Sequence, residues 1–429
     1  MHPLLRLPYA SLLRAARVVA ELPLPGDSKV ARSLRARRGV VERIETWAGA
    51  HRDPSRPLIW VHAPSVGEGL QARPVIERLR QRHPALQIVY THFSPSAERF
   101  AASLGADLAD YLPFDDASQM RRMLDALRPR ALVFSKVDVW PRLTEEAAAR
   151  GVRLGLISAT MAAGSTRRGP LVRALARDAL AALDLVGAID AADAERLVAA
   201  GVRAERIRLT GDTRYDQVAA RAASVERDGP LLSPLVSDRP TLVAGSTWPA
   251  DERVLFPAWQ ALVGDLTAAR LIIAPHEPTR EHLEPVRDWA ALSGFSLAAL
   301  DEKDVESADV ILVDRVGALG ELYALADAAF VGGGFHSAGL HSVLEPAAFG
   351  VPVIFGPRHA ASRDARLLLA CHGAAAVTDI ASLTDAMRIA LGESDTRFTA
   401  GGAARKTVTA GLGAADRSTS LVEELLDLP

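Results

Sequence analysis

The sequence predicts an α/β protein of two doubly wound, Rossmann-like domains facing each other across a cleft. From Leu58 onward, short continuous apolar runs of strand length alternate with amphipathic helical stretches, the pattern of parallel sheets covered on both faces. Midway, residues 217–239 break this rhythm with Gly229, Pro230, Ser233 and Pro234, after which it starts afresh. A length of 429 residues also suits two cores better than one.

The leading segment, residues 1–45, reads differently. Residues 4–24 (LLRLPYASLLRAARVVAELPL) are apolar but interrupted by Arg6, Arg14 and Arg17, so no stretch approaches the ~20 apolar residues of a membrane span. A helix starting near Pro8 would put Leu12, Leu13, Ala16 and Val19 on one face, and Lys29, Arg32, Arg35, Arg37, Arg38 and Arg43 follow as a basic cluster. Together these predict a short amphipathic helix lying on a membrane with its basic sequel against anionic head groups; a solvated basic helix is the alternative. A cleaved signal peptide is disfavoured, because no A-x-A-like site follows a clean apolar core.

The N-terminal domain, residues 46–216, is assigned strands at 58–63, 87–93, 131–137, 153–160, 185–190 and 206–212. Leu70, Pro74, Ile76 and Leu79 recur at helical spacing after Gly67, as do Leu143, Ala147 and Ala148 after Pro141. Residues 217–239 form the linker. The C-terminal domain, residues 240–410, is assigned strands at 241–247, 270–275, 295–300, 310–314, 328–333, 351–356 and 374–379. Residues 411–429 carry a last helix that would pack back on the first domain.

Composition narrows the function classes. A net charge of −2 excludes a general nucleic-acid binder, which needs a large basic excess. The single cysteine, Cys371, can form neither an internal disulfide nor a thiolate zinc site, which fits a reducing compartment. No G-x-S-x-G elbow, G-x-x-x-x-G-K-[ST] phosphate loop, D-x-D pair or H-E-x-x-H is present. The chemistry expected is therefore metal-independent and without a cofactor.

Ligands of doubly wound domains bind beyond the carboxyl ends of the strands, and the informative polar residues collect there. Ser65, Gly67 and Glu68 follow the first strand; Lys136, Asp138 and Trp140 follow the third. Glu68 is the leading general base. Gly67 would permit a tight strand-to-helix turn, and the helix start keeps the carboxylate ionised; an ordinary first-turn glutamate is the alternative. Asp138 could bind an acceptor or assist Glu68, or else pair with Lys136 or cap a helix. In the second domain Ser246, Thr247, Trp248 and His276 take equivalent places, His276 as a ligand contact or a core-edge histidine. Residues 331–359 (VGGGFHSAGLHSVLEPAAFGVPVIFGPRH) are the richest stretch. Gly332, Gly333 and Gly334 would let backbone N–H groups approach an anion, and His341, Ser342 and Glu345 read as one helical turn behind them.

Nine blocks carry a resemblance along nearly the whole chain: residues 60–77 (WVHAPSVGEGLQARPVIE), 91–98, 111–115 (YLPFD), 134–141 (FSKVDVWP), 211–218 (GDTRYDQV), 244–252 (AGSTWPADE), 272–283 (IIAPHEPTREHL), 313–335 and 339–357. In this order and spacing the chain resembles the Kdo transferases, inverting GT-B glycosyltransferases that move 3-deoxy-D-manno-octulosonate from CMP-Kdo onto the lipid A precursor, lipid IVA. The resemblance implies that Glu68 deprotonates the acceptor hydroxyl, which attacks the anomeric carbon as CMP departs through an oxocarbenium-like transition state. Asp138 is the second catalytic carboxylate, and Ser65, Gly67, Arg73 and Lys136 bind on the acceptor side or meet charge. Arg214, Ser246, Thr247, His276, Gly333, Gly334, His341, Ser342 and Glu345 bind the donor. The implied setting is the cytoplasmic face of the inner membrane, reached peripherally or through the N-terminal segment.

Three departures stand out from the family pattern. Asp138 replaces a glutamate, Ser342 replaces the asparagine of H-N-x-x-E, and the leading segment is weaker than a membrane-spanning helix. The rival readings are a transferase for another CMP-ulosonic acid or acceptor, a non-catalytic membrane-associated relative, and a nucleotide-sugar epimerase of the same fold.

Overall fold

In the computed structural model the described residues are 7–11, 13, 15–16, 18, 28–161, 170–266, 268–392 and 394–428. They divide into two compact units, residues 1–217 with 413–429, and residues 218–412.

The first unit is built on a seven-stranded, all-parallel sheet: β1 (Leu58–His62), β2 (Gln87–His92), β3 (Leu108–Tyr111), β4 (Ala131–Ser135), β5 (Arg153–Ala159), β6 (Leu185–Ala188) and β7 (Ile207–Leu209), in the order β3-β2-β1-β4-β5-β6-β7. Trp60 pairs with Val89 on one side and Leu132 on the other. Alternate residues of β1 enter different cores. Leu58 and Trp60 join Phe134, Leu143 and Met120 on one face, while Ile59 and Val61 join Tyr90, Ile76 and Leu79 on the other. Both faces are thus buried, which is why these strands read as continuous apolar runs. The C-terminal helix Ala414–Leu426 belongs to this unit: Leu421, Val422, Leu425 and Leu426 fill the second core, and Asp216 accepts the Gly413 and Ala415 N–H groups at 2.8 and 2.9 Å.

The second unit repeats the plan with β8 (Thr241–Thr247), β9 (Arg270–Pro275), β10 (Leu297–Ala299), β11 (Val310–Leu312), β12 (Ala328–Val331), β13 (Val353–Phe355) and β14 (Ala374–Ala376), in the order β10-β11-β9-β8-β12-β13-β14. Here Leu242 and Ala244 face Trp259 and Phe330, while Val243 faces Ile272 and Tyr323.

Thirteen strands were expected and the structure adds one. The addition is β3, a half-exposed edge strand carrying Asp110 and so without a continuous apolar run. The unit boundary at 217/218 falls inside the helix Thr213–Ala223, so residues 217–223 are helical and not linker coil. In the leading segment the described residues between 7 and 18 are helical, with Leu7 and Val18 exposed and Leu13 buried; Arg6, Leu12, Arg14, Arg17 and Val19 lie outside the described residues. The basic sequel is partly committed within the unit. Arg37 is buried with its guanidinium 3.6 Å over the Phe93 ring, and Arg43 is paired with Asp110 at 2.7 Å. Among the described residues no helix is long and apolar enough to cross a membrane.

Candidate active site

Both sheets have one place where the strand order reverses direction. In the first unit the chain runs β1, β2, β3 to one side and then crosses to β4 on the other side of β1; in the second it leaves β8 for β9 and later returns to β12 on the other side. Open α/β sheets form their ligand crevices at such switch points. Most of the predicted residues gather at these two places, Arg73 and Arg214 excepted.

At the β1/β4 switch, Ser65 is the N-cap of the helix Val66–Arg82, and Glu68 lies in its first turn. The Ser65 hydroxyl donates to Glu68 Oε2, and Lys136 Nζ donates to Glu68 Oε1 at 3.1 Å. The Ser135 hydroxyl, at the end of β4, donates to the Glu68 carbonyl at 2.8 Å. Burial pushes the Glu68 carboxyl up, but the Ser65 hydroxyl and the Lys136 ammonium outweigh it and hold it below the usual carboxylate range. Glu68 is therefore an ionised, half-buried carboxylate held from two sides. Lys136 pairs there from a backbone φ of +63°, a left-handed conformation costly for a lysine. Gly67 is not needed for the turn. It is helical, and a Cβ there would meet only Ser65 Oγ at 3.9 Å.

Asp138 faces a second cluster. The Trp140 indole N–H is shared between Asp138 Oδ2 at 3.2 Å and His62 Nε2 at 3.1 Å, and His62 Nδ1 lies 3.0 Å from Thr91 Oγ1. A cavity of 240 Å³ opens beside Asp138, with Val137, Trp140, Met161, Leu175 and Leu180 among its apolar lining. Asp115, in the YLPFD block, proves to be a support. It is fully buried and accepts the Arg142 and Leu143 N–H groups at 2.8 and 2.7 Å, so it caps the helix that starts after Trp140. Arg73 is turned elsewhere, over the Phe100 ring and bonded to Ser103 at 2.7 Å. Arg214 belongs to the first unit, where it binds Asp212 at 2.6 Å, unlike the other predicted donor-side residues.

At the β8/β12 switch the glycine turn is not an open anion cradle. The Gly333 and Phe335 N–H groups donate to the fully buried Asp251 at 2.7 and 2.9 Å, and the Gly332 N–H donates to Gly245 O at 2.9 Å. The glycines serve close packing instead: a Cβ on Gly332 would stand 2.2 Å from Ser246 O, and one on Gly334 2.4 Å from Gly356 N. His341 and Ser342 precede the helix Leu344–Ala348, so only Glu345 is helical and the single-turn arrangement is not formed. The His341 N–H is drawn back to Gly332 O at 3.1 Å, which holds that residue outside the helix. Burial raises the Glu345 carboxyl, Arg221 partly opposing it.

What the switch point does assemble is an aromatic cluster. Trp248 stacks on His336 with centroids 4.4 Å apart, and His276 lies 4.3 Å from His341 and 4.6 Å from Trp248. The Trp248 indole N–H donates to His341 Nε2 at 3.1 Å. Ser246 adopts φ +55° beside them, whereas the Thr247 hydroxyl is spent inward on Glu252 at 2.8 Å. Ser342 is exposed. Trp248 stands where the sequence places it, after the strand that ends at Thr247, whereas Asp251 and His336 carry no signal of their own; the Gly333 and Phe335 N–H groups that Asp251 accepts lie 82 and 84 residues away.

Known proteins resemble this chain along most of its length. Residues 32–217 match the family model described as 3-deoxy-D-manno-octulosonic-acid transferase (kdotransferase). The chain is 31% identical over 383 residues to a 3-deoxy-D-manno-octulosonic acid transferase of Bordetella pertussis, covering 87% of this chain and 88% of that one. It is 28% identical to the protein of the same name from Haemophilus influenzae, covering 92% and 93%. Among solved structures, UDP-GlcNAc 2-epimerase from Neisseria meningitidis superposes with a TM-score of 0.63 at 13% identity, over 86% of this chain and 99% of that one, a likeness of fold alone.

Proposed function

The chain belongs to the 3-deoxy-D-manno-octulosonic acid transferase family, and from this membership we propose that it transfers Kdo from CMP-Kdo to lipid IVA, with Glu68 as the general base. The observation that carries the proposal is the Ser65–Glu68–Lys136 cluster at the β1/β4 switch point: an ionised carboxylate, held by hydrogen bonds, at the position where ligands of such sheets bind. Glu68 takes the proton of the acceptor hydroxyl as its oxygen bonds to the anomeric carbon of Kdo, and CMP leaves with the electrons of the broken bond. Lys136 and the Ser65 hydroxyl keep the base charged and oriented. Asp138 and the apolar cavity beside it favour an acceptor with both polar and aliphatic parts. His341 and His276, with Glu345 on the short helix that follows, form the donor side at the β8/β12 switch. The acceptor would be met at the cytoplasmic face of the inner membrane, with the leading helix and the exposed Arg32 and Arg38 turned towards it.

The test is CMP release in the presence of lipid IVA, with CMP-Kdo compared against a second CMP-linked ulosonic acid. Release with CMP-Kdo that depends on lipid IVA supports the reading. Release only with the other donor, or turnover of a nucleotide sugar without acceptor, overturns it.

A further inference from the structure

The two units share a device that the reaction itself does not explain. In each, a tryptophan stands immediately before a proline and caps the following helix: Trp140 before Pro141–Ala148, and Trp248 before Pro249–Asp265. In each, the indole N–H donates to a histidine Nε2 at 3.1 Å, Trp140 to His62 and Trp248 to His341. An imidazole nitrogen that accepts a hydrogen bond carries no proton, so each histidine must hold its proton on Nδ1.

The pairs differ in what lies at Nδ1. His62 is completely buried and its Nδ1 reaches Thr91 Oγ1 at 3.0 Å, so both ring nitrogens are satisfied inside the fold. His341 is half-buried, and its Nδ1 has no hydrogen-bond partner among the described residues. Its ring is also nearly parallel to that of Trp248, the two inclined by 12° with centroids 6.5 Å apart, and His276 stacks at 4.3 Å from it. Trp248 is itself held, its backbone N–H donating to Asp251 at 2.9 Å, the carboxylate that also grips Gly333 and Phe335. One buried carboxylate thus fixes the glycine turn and the tryptophan together.

We infer that Trp248 is a positioning residue of the donor site: its indole N–H fixes His341 as the Nδ1–H tautomer, so that His341 meets the anionic group of the donor as a neutral hydrogen-bond donor. The inference rests on the donor-side reading of the β8/β12 switch. Burial lowers the His341 imidazole to about 4, with His276 and His336 adding to the effect and Asp251 opposing it, so the ring stays neutral through the physiological range. Recognition by such a group is insensitive to pH, and a charged imidazolium is not required.

Two measurements on the full chain test this. Long-range proton–nitrogen NMR of histidine-labelled protein reports the His341 tautomer without any ligand; an Nδ1–H signature unchanged from pH 8 to pH 6 is expected, and an Nε2–H or charged ring in that range overturns the inference. The second is CMP binding by calorimetry across the same range for wild type, Trp248→Phe, and Trp248→Phe with His341→Asn. Trp248→Phe keeps a stacking ring but removes the N–H, and should weaken CMP binding about tenfold at pH 8, the loss of one hydrogen bond to an anion. Without the indole N–H, protonation of His341 no longer breaks that hydrogen bond, so although burial, His276 and His336 still hold the ring low it takes a proton more readily than in wild type, and part of the loss should return at pH 6. The added His341→Asn should abolish that recovery, although His276, His336, His282 and Asp251 remain. A Trp248→Phe protein whose CMP affinity follows the wild-type pH course refutes the positioning role. Absence of CMP binding by wild type, with the Nδ1–H tautomer present, instead removes the donor-site reading and with it this role.

Discussion

Replacing Lys136 by methionine keeps the length of the side chain and removes the charge beside Glu68. At 3.1 Å and an effective dielectric of ~20, the Coulomb attraction is roughly 5 kcal/mol, an upper bound. The Lys136 side chain is 43% exposed, and pairs of that kind contribute about 1 kcal/mol once screened. With Glu68 only 18% exposed, a value of about 1–2 kcal/mol is reasonable, or roughly one pH unit. The sign follows from the balance at Glu68: burial raises its pKa, Ser65 and Lys136 lower it, and without the ammonium burial gains. The acid limb of the kcat/KM profile for Kdo transfer should therefore move up by about one pH unit in Lys136→Met, while Lys136→Arg should restore it. A limb that stays in place, or moves down, would refute the assignment of that limb to Glu68.

Asp251→Ala leaves three N–H groups without their acceptor, those of Trp248, Gly333 and Phe335, and should destabilise the chain by about 3–5 kcal/mol in chemical denaturation. Gly334→Ala drives a Cβ to 2.4 Å from Gly356 N, a backbone atom that cannot swing aside; a loss of about 2 kcal/mol or more is expected, with CMP affinity falling in parallel. Asp115→Ala removes the cap on the Arg142 and Leu143 N–H groups and should cost about 2–3 kcal/mol. Burial raises the Asp115 carboxyl to about 7, so its ionisable contribution is fully present below the unfolded range near ~4 and is lost as pH rises through 7; thermal melts should show the wild-type advantage over Asp115→Ala shrinking across that window.

The sheets were legible because burial on both faces leaves no polar alternation to confuse with helix, as the split of Trp60 and Ile59 between opposite cores shows. Strand ends were read too long. The chain leaves the ladder through backbone conformations that composition does not reveal, Lys136 at φ +63° after β4 among them, while Ser158 and Ser246 at +50° and +55° sit where register shifts. Glu68 and Lys136 could be named separately, but their meeting is a product of the β1/β4 crossover. The glycine run was ambiguous for a physical reason. An anion cradle and a close backbone approach require the same residue, and only the Asp251 carboxylate, 82 positions before Gly333, decides between them. The histidine tautomers were equally hidden, since each depends on an indole from a distant helix start.

The central claim is tested most directly by the mass of lipid IVA after incubation with CMP-Kdo and the purified chain, wild type beside Glu68→Ala. Kdo added to the lipid by wild type, and almost none by Glu68→Ala at equal CMP affinity, is the expected result. An acceptor of unchanged mass with wild type, or equal transfer by both proteins, would contradict it.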